Sequence, residues 1–283
     1  MSLDLTMYKT YAYQDIKSQI QPFDALFFRG SNLCSSLISV LEEYQVNSGV
    51  FTHIGIVVTS DILPRCKIDK GYFELEKDKL YLLESTLLAT TTGPDVTTGK
   101  GKFGVQLRDA ETVIPNYIFD QTTKVAWGPL INNPYSKKDH ESDEALSERR
   151  LILREHFCQF FEDYHDRLYE INAIGLMSAM FPILRGLRET RDKIYTKLWK
   201  KINKKATQTP IVDLQFCSEL IGNVYQTIGV IDKHVNTKDI LPMDFFGGDQ
   251  DGIPLLIDQV YYIKDWELPN QPSIDYQFFS KLI

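Results

Sequence analysis

Cysteine is scarce in this chain, with four in 283 residues, at positions 34, 66, 158 and 217. So few cysteines exclude a disulfide-dense scaffold. No two of them have the C-x-x-C spacing of a zinc knuckle or a dithiol redox motif, so isolated thiols in a reducing compartment are expected. Long apolar runs are also missing. The most apolar stretch, 174–184, is broken by Gly175, Ser178 and Pro182 and is too short to span a bilayer. The first nine residues lack a basic start followed by an apolar stretch, so no secretory leader is expected and the location reads as cytoplasmic. No internal repeat and no composition break marks a domain boundary. A hydrophobic content of 43% is enough for a sizeable core and excludes a wholly disordered chain.

The net charge is −7, but it is unevenly spread. Between Arg185 and Lys205 nine basic residues face only Glu189 and Asp192, a local charge of +7 that leaves −14 on the rest. Arg185, Arg188, Arg191, Lys197, Lys200 and Lys201 are therefore candidate anion-binding residues, able to meet phosphates or an anionic membrane surface. A solvated helix face paired with acids of the same protein is the more ordinary reading of such a run.

The hydrophobic pattern predicts a short helix over 8–20 and a strand over 23–28. Ser31 would cap a helix striped by Leu33, Leu37, Val40, Leu41 and Tyr44. The β-branched run 51–58 is the clearest strand, and a period of two puts His53, Gly55 and Val57 on one face. Strands are expected over 71–76 and 80–85, with Glu84 on the face opposite Tyr81, Leu83 and Ser85. The Thr- and Gly-rich segment 86–104 reads as a mobile loop. Its Thr-Gly-Lys-Gly-Lys (98–102) is no phosphate loop, because no Ser or Thr follows the lysine. Residues 103–127 are expected to return to strand, and 132–147 to form an outer loop. Helices follow over 144–170, 171–181 and the basic stretch after Pro182. Phe216 to Ile228 reads as a helix with Leu220, Ile221, Val224 and Tyr225 buried and Gly229 as its stop. The tail from 239 mixes strand and loop.

Three residues carry the chemical argument. Cys217 falls in the first turn of a helix, where free N–H groups and the positive dipole end favour a thiolate. The Cys217 backbone N–H also offers a donor for an oxyanion. Glu219 opposes the thiolate by like charge, so an imidazolium is needed nearby. Against this, a free cysteine is often only a small buried hydrophobe. His53 sits on an apolar strand beside Gly55, which leaves room for another group to approach, although a strand histidine is commonly a satisfied core residue. Glu84 lies in an apolar string, where a carboxylate needs a partner unless its strand is an edge facing water. Together they make a Cys–His–acid set in which Cys217 attacks, His53 shuttles the proton and Glu84 holds the ring. Cys34, also in the first turn of an expected helix, is the rival thiol. Its separation from His53 is short for a helix-to-facing-strand connection.

The order Asp-Ala-Leu-Phe-Phe-Arg (24–29), Thr-His-Ile-Gly-Ile-Val-Val (52–58), Tyr-Leu-Leu-Glu-Ser (81–85), Phe-Cys-Ser-Glu-Leu-Ile (216–221) and Ile-Leu-Pro-Met-Asp-Phe (240–245) resembles the circularly permuted branch of the NlpC/P60 papain-like superfamily, near its YiiX/YaeF-like amidases. There the histidine strand precedes the cysteine helix. The resemblance covers 22–88 and 212–246. It implies an α+β fold with an antiparallel, partly closed sheet packed against the cysteine helix. It also implies Cys217 as nucleophile, His53 as general base and Glu84 as the third polar member. The whole chain, 1–283, would be one permuted papain-like domain carrying a helical, partly basic insertion over 144–206. Phe23 stands where the family usually has glycine.

The implied activity is a cysteine hydrolase or acyltransferase acting on an amide or ester of a peptide or lipid, without a cofactor. A non-catalytic binding module that kept the fold is the alternative, engaging anionic lipid or nucleic acid through the basic stretch. A zinc site built on the same His, Glu and Cys lacks a recognisable fourth ligand.

Overall fold

The computed structural model describes residues 9–29, 51–68, 71–86, 93–101, 104–119, 124–165, 167, 216–242, 244–247 and 253–264. The fold is mixed α+β. The strands among the described residues are β1 (Thr10–Ala12), β2 (Ala25–Arg29), β3 (His53–Val58), β4 (Arg65–Ile68), β5 (Gly71–Glu74), β6 (Tyr81–Thr86), β7 (Gly104–Asp109), β8 (Lys124–Gly128) and β9 (Tyr261–Lys264). The α-helices among them are α1 (Tyr13–Ile16), α2 (Ala110–Phe119), α3 (Asp143–Tyr164), α4 (Cys217–Thr227) and α5 (Asp244–Gly247). Among the described residues no helix is long and apolar enough to cross a membrane.

Seven strands form one sheet in the order β1-β9-β8-β2-β3-β6-β7, and β4 pairs with β5 alone. The sequence led us to expect an antiparallel, partly closed sheet. The observed sheet is mostly open, with β1 and β7 at its ends, and it is mixed, since β1 runs parallel to β9. Parallel neighbours need a long connection, and here nearly the whole chain separates them.

Both faces of the central strands are buried. On one, Ile54, Ile56 and Leu83 share a core with Phe157 and Phe161 of α3 and with Leu220, Ile221 and Val224 of α4. On the other, Phe28, Val57 and Leu82 pack with Val113, Ile114 and Tyr117 of α2 and with Tyr13 and Ile16 of α1. Each face therefore buries its own apolar set, as strand alternation requires.

Several local expectations change. Within the segment 8–20, residues 13–19 are helical as expected, but Thr10–Ala12 form a strand, because β1 finds a partner in β9 that local pattern does not reveal. Within 103–127 lies α2. Its β-branched Val113 and Ile114 favour strand and its internal Pro115 disfavours helix, yet Val113, Ile114 and Tyr117 recur at helical spacing and bury one stripe. The strands 71–76 and 80–85 do not form a hairpin. β5 pairs with β4, and β6 joins the main sheet beside β3. The described part of 86–104 is a pinned turn rather than a mobile loop. Asp95 accepts hydrogen bonds from Thr97 N, Thr98 N and Leu107 N. The helix over 144–170 is α3, capped by Ser142, whose Oγ accepts from Ala145 N at 3.2 Å. The expected helix after Ser31 and residues 168–206 of the expected insertion lie outside the described residues.

The entry to β2 explains the departure at position 23. Phe23 has φ = 71°, a conformation that glycine adopts freely and a bulky side chain rarely does. It is held there from all sides. Its N–H donates to Val57 O at 2.9 Å, its carbonyl accepts from Tyr225 Oη at 3.0 Å, and its ring meets Phe157 edge-on. Next to it, the buried Asp24 carboxylate accepts from Gln21 N, Trp127 Nε1, Leu130 N and Asn133 Nδ2. Asp24 thus has a structural task, tying β2 to β8 and the turn after it. Phe23→Ala is expected to lose about 3–5 kcal/mol of stability. Phe23→Gly should be the more stable of the two variants by about 1 kcal/mol, because it escapes the left-handed strain. Urea denaturation of both variants checks this inversion of the usual Ala-over-Gly order.

Candidate functional site

β3 is the centre of the site, and its register fixes what meets there. Gly55 lies opposite Glu84 across the β3–β6 pair, so His53, Gly55 and Glu84 share one face. A Cβ on Gly55 would stand 2.6 Å from Leu82 Cδ1 and 3.2 Å from Glu84 Cβ. The absence of a side chain at 55 is what lets β6 side chains fold over β3 towards His53. His53 Nε2 is 2.6 Å from Glu84 Oε2.

Glu84 is fully buried, and β6 lies between β3 and β7. The alternative of an edge-strand carboxylate facing water is therefore excluded. Its charge is met on every side. Oε2 also accepts from Tyr117 Oη at 3.4 Å, and Oε1 lies 3.4 Å from Arg108 Nη1. Burial pushes the Glu84 carboxyl up, but the Arg108 guanidinium, then His53 and Tyr117, outweigh it and hold the carboxyl below its ordinary value. The Tyr117 phenol is raised well above the usual tyrosine value by burial and by the Glu84 charge, so it acts as a neutral donor.

Cys217 opens α4 and is buried. It belongs to the core on the α4 face, whereas the His53 ring lies against Phe28 and Tyr117 of the α2 face. His53 is the first residue of β3, and there the two meet: the Cys217 side chain comes close enough to the His53 ring to act on its proton affinity. With Nε2 engaged by Glu84, Nδ1 is the ring nitrogen left for the sulfur. Burial alone would lower the His53 proton affinity. The charge and hydrogen bond of Cys217, followed by those of Glu84, reverse that and raise it to about 10.

Glu219, expected to oppose a thiolate, is turned to another use. Its carboxylate accepts from Phe216 N at 3.4 Å, capping the helix just before the cysteine. Ser218 Oγ donates to Ile240 O at 2.6 Å and anchors the first turn of α4 to the segment after it.

The structure thus brings together Cys217, His53 and Glu84. Arg185, Arg188, Arg191, Lys197, Lys200, Lys201 and the rival Cys34 lie outside the described residues. Among the described residues, no group of three or more His, Cys, Asp or Glu is arranged to hold a metal ion. A cleft of about 870 Å³ lined by Ile152, Thr227, Gly229 and Leu255 lies at the far end of α4. About 15 Å of helix separates it from Cys217, too far to be part of the same site.

Sequence reasoning missed Arg108, Gln106 and Tyr117. Val105, Gln106, Leu107 and Arg108 alternate like a half-solvated strand, yet Gln106 and Arg108 are buried. The one usable signal was parity, since Gln106 pairs directly with Glu84 and Arg108 follows on the same face.

The raised proton affinity of His53 stabilises the fold fully below the unfolded histidine value near 6.5, and that contribution is lost as pH rises through about 10. Cys217→Ala removes the larger raising influence. The His53 imidazole, followed by NMR, should then titrate lower by about one unit or more. An unchanged titration would show that sulfur and imidazole do not interact. The chain matches no family model, and no curated protein matches it.

Proposed function

We propose that the protein is a cysteine hydrolase or acyltransferase that cleaves an amide or ester through a thioester on Cys217, on a permuted papain-like scaffold. The observation that carries this reading is His53, held at Nε2 by the fully buried Glu84 and near enough to the first-turn Cys217 for that side chain to raise its proton affinity. A buried cysteine serving only as filler has no need of an imidazole whose second nitrogen is clamped by a carboxylate. The chain order, with the histidine strand before the cysteine helix, agrees with the permuted arrangement.

In the proposed reaction the Cys217 sulfur forms a bond to the substrate carbonyl carbon. The carbonyl electron pair moves to oxygen, where the Cys217 N–H and the positive end of α4 stabilise it. Collapse breaks the bond to the leaving amine or alcohol, which takes its proton from the His53 imidazolium. Water or a second acceptor then loses a proton to His53 as it attacks the thioester, and the carbon–sulfur bond breaks to return the thiol. Glu84 keeps the ring aligned and stabilises its charged form without taking the proton.

Iodoacetamide labelling with peptide mapping tests the nucleophile. Cys217 should react at least about tenfold faster than Cys34, Cys66 and Cys158, as a paired thiolate does. Cys217→Ala and His53→Ala should each lower turnover of activated acyl esters or peptide amides by about a thousandfold or more. Equal labelling of all four thiols, or full activity in His53→Ala, would sink the proposal. Profiling against acyl-lipids and peptides separates the two substrate classes.

A further inference from the structure

Arg108 has no place in the reaction above, and its burial calls for a reason. It is one of the largest side chains in the molecule with essentially no exposure, and an unpaired charge in such a place is strongly unfavourable. Its position follows from the β6–β7 register. Gln106 pairs with Glu84 and Arg108 with Leu82, so all four side chains share the face that carries His53. Gln106 Oε1 accepts from both Arg108 Nε and Nη2, at 3.0 and 2.8 Å. That grip leaves Nη1 directed at Glu84 Oε1, 3.4 Å away. At that distance the contact is an ion pair rather than a well-formed hydrogen bond. Arg108 therefore acts on Glu84 through its charge, and Gln106 sets where that charge sits.

We propose that Arg108 is a positioning residue for this site: its guanidinium, held by Gln106, fixes Glu84 as the acceptor for His53 and so governs the pH range over which Cys217 reacts. The proposal rests on the reading of Cys217 as a nucleophile.

Among the described residues the groups that face Glu84 are His53 from β3, Arg108 from β7 and Tyr117 from α2, and His53 in turn lies near Cys217 of α4, whose neighbour Glu219 is folded back onto Phe216 N. With Tyr117 neutral, the reactive form of this group of four holds two negative charges, on Cys217 and Glu84, and two positive, on His53 and Arg108. Among these four residues the charges balance. Removing the Arg108 charge leaves one excess negative charge with little access to water, and the cluster relieves it by binding a proton. The proton goes to the sulfur, which silences the nucleophile, or to Glu84, which then no longer accepts from the imidazolium. Either way a higher pH is needed to reach the reactive form.

The test is the pH dependence of Cys217 alkylation by iodoacetamide in the full-length chain, with folding checked by circular dichroism and thermal denaturation. In Arg108→Gln the acid limb should move up by about one pH unit or more. Labelling at pH 6 should then fall about tenfold, while the rate at pH 9 stays within about twofold of the wild type. Arg108→Lys, which keeps the charge in a different shape, should recover at least half of the shift. A merely structural role would lower the melting temperature and leave the profile in place. The proposal is overturned if folded Arg108→Gln has the wild-type profile, or if Arg108→Lys is displaced as far as Arg108→Gln. Should Arg108→Gln fail to fold, Gln106→Met decides, because it keeps the charge and removes its tether. Its acid limb should move in the same direction, and an unmoved limb counts against the proposal. Failure of the underlying reading looks different, because wild-type Cys217 would then label no faster than the other cysteines.

Discussion

A carboxylate with no access to water in the middle of a sheet is tolerated only when its charge is balanced nearby, and Glu84 imposes that condition on everything around it. The balancing charges come from different strands, with Arg108 on β7 and His53 on β3. Tyr117 of α2 contributes a donor. None of these can shift by a residue without leaving a charge stranded, so the register of β3, β6 and β7 and the seat of α2 are bound to the site. Gly55 belongs to the same constraint, because any side chain there would collide with Leu82 and Glu84. The burial that makes Glu84 costly also strengthens its hold on His53, since screening by water is absent.

The cysteine arrives by a separate route. α4 is amphipathic, and its buried stripe of Leu220, Ile221 and Val224 packs on the face of β3 that carries Ile54 and Ile56. The His53 ring belongs with the aromatic group on the other face. Their meeting at the first residue of β3 depends on where α4 begins. That start is secured by Glu219 folding back onto Phe216 N and by Ser218 bound to Ile240 O. The strained backbone at Phe23 and the four-bonded Asp24 brace β2, the strand against which β3 is registered. The corner where His53 and Cys217 meet therefore stands on two braced pieces, the start of α4 and the strand β2 beside β3.

Much of this was legible in the chain. Cys217 before an amphipathic stripe, His53 beside Gly55, and Glu84 in an apolar string each carry a local signal. The helices α3 and α4, with Gly229 as the stop of α4, follow from local pattern too. The misreadings share a cause. Residues 10–12, at the start of the expected helix, become a strand because β9 offers an edge some 250 residues away, and 110–119 becomes a helix because its stripe covers one face of the sheet. Gln106 and Arg108 look solvent-bound because alternation ordinarily marks a one-sided strand, whereas β7 is covered on both sides.

The sequence by itself determined the chemistry available: two candidate thiols at helix starts, Cys217 and Cys34, an imidazole and a carboxylate on strands, and a glycine that gives them room. Those are properties of residue type and short-range spacing, which local sterics and hydrogen bonding dictate. Only the tertiary structure decided that the three meet, that Glu84 is interior rather than at an edge, and that an arginine two strands from His53 balances it. Strand order and burial depend on pairings between distant segments, and a charge acquires its energetic weight only once the surrounding chain has excluded water from it.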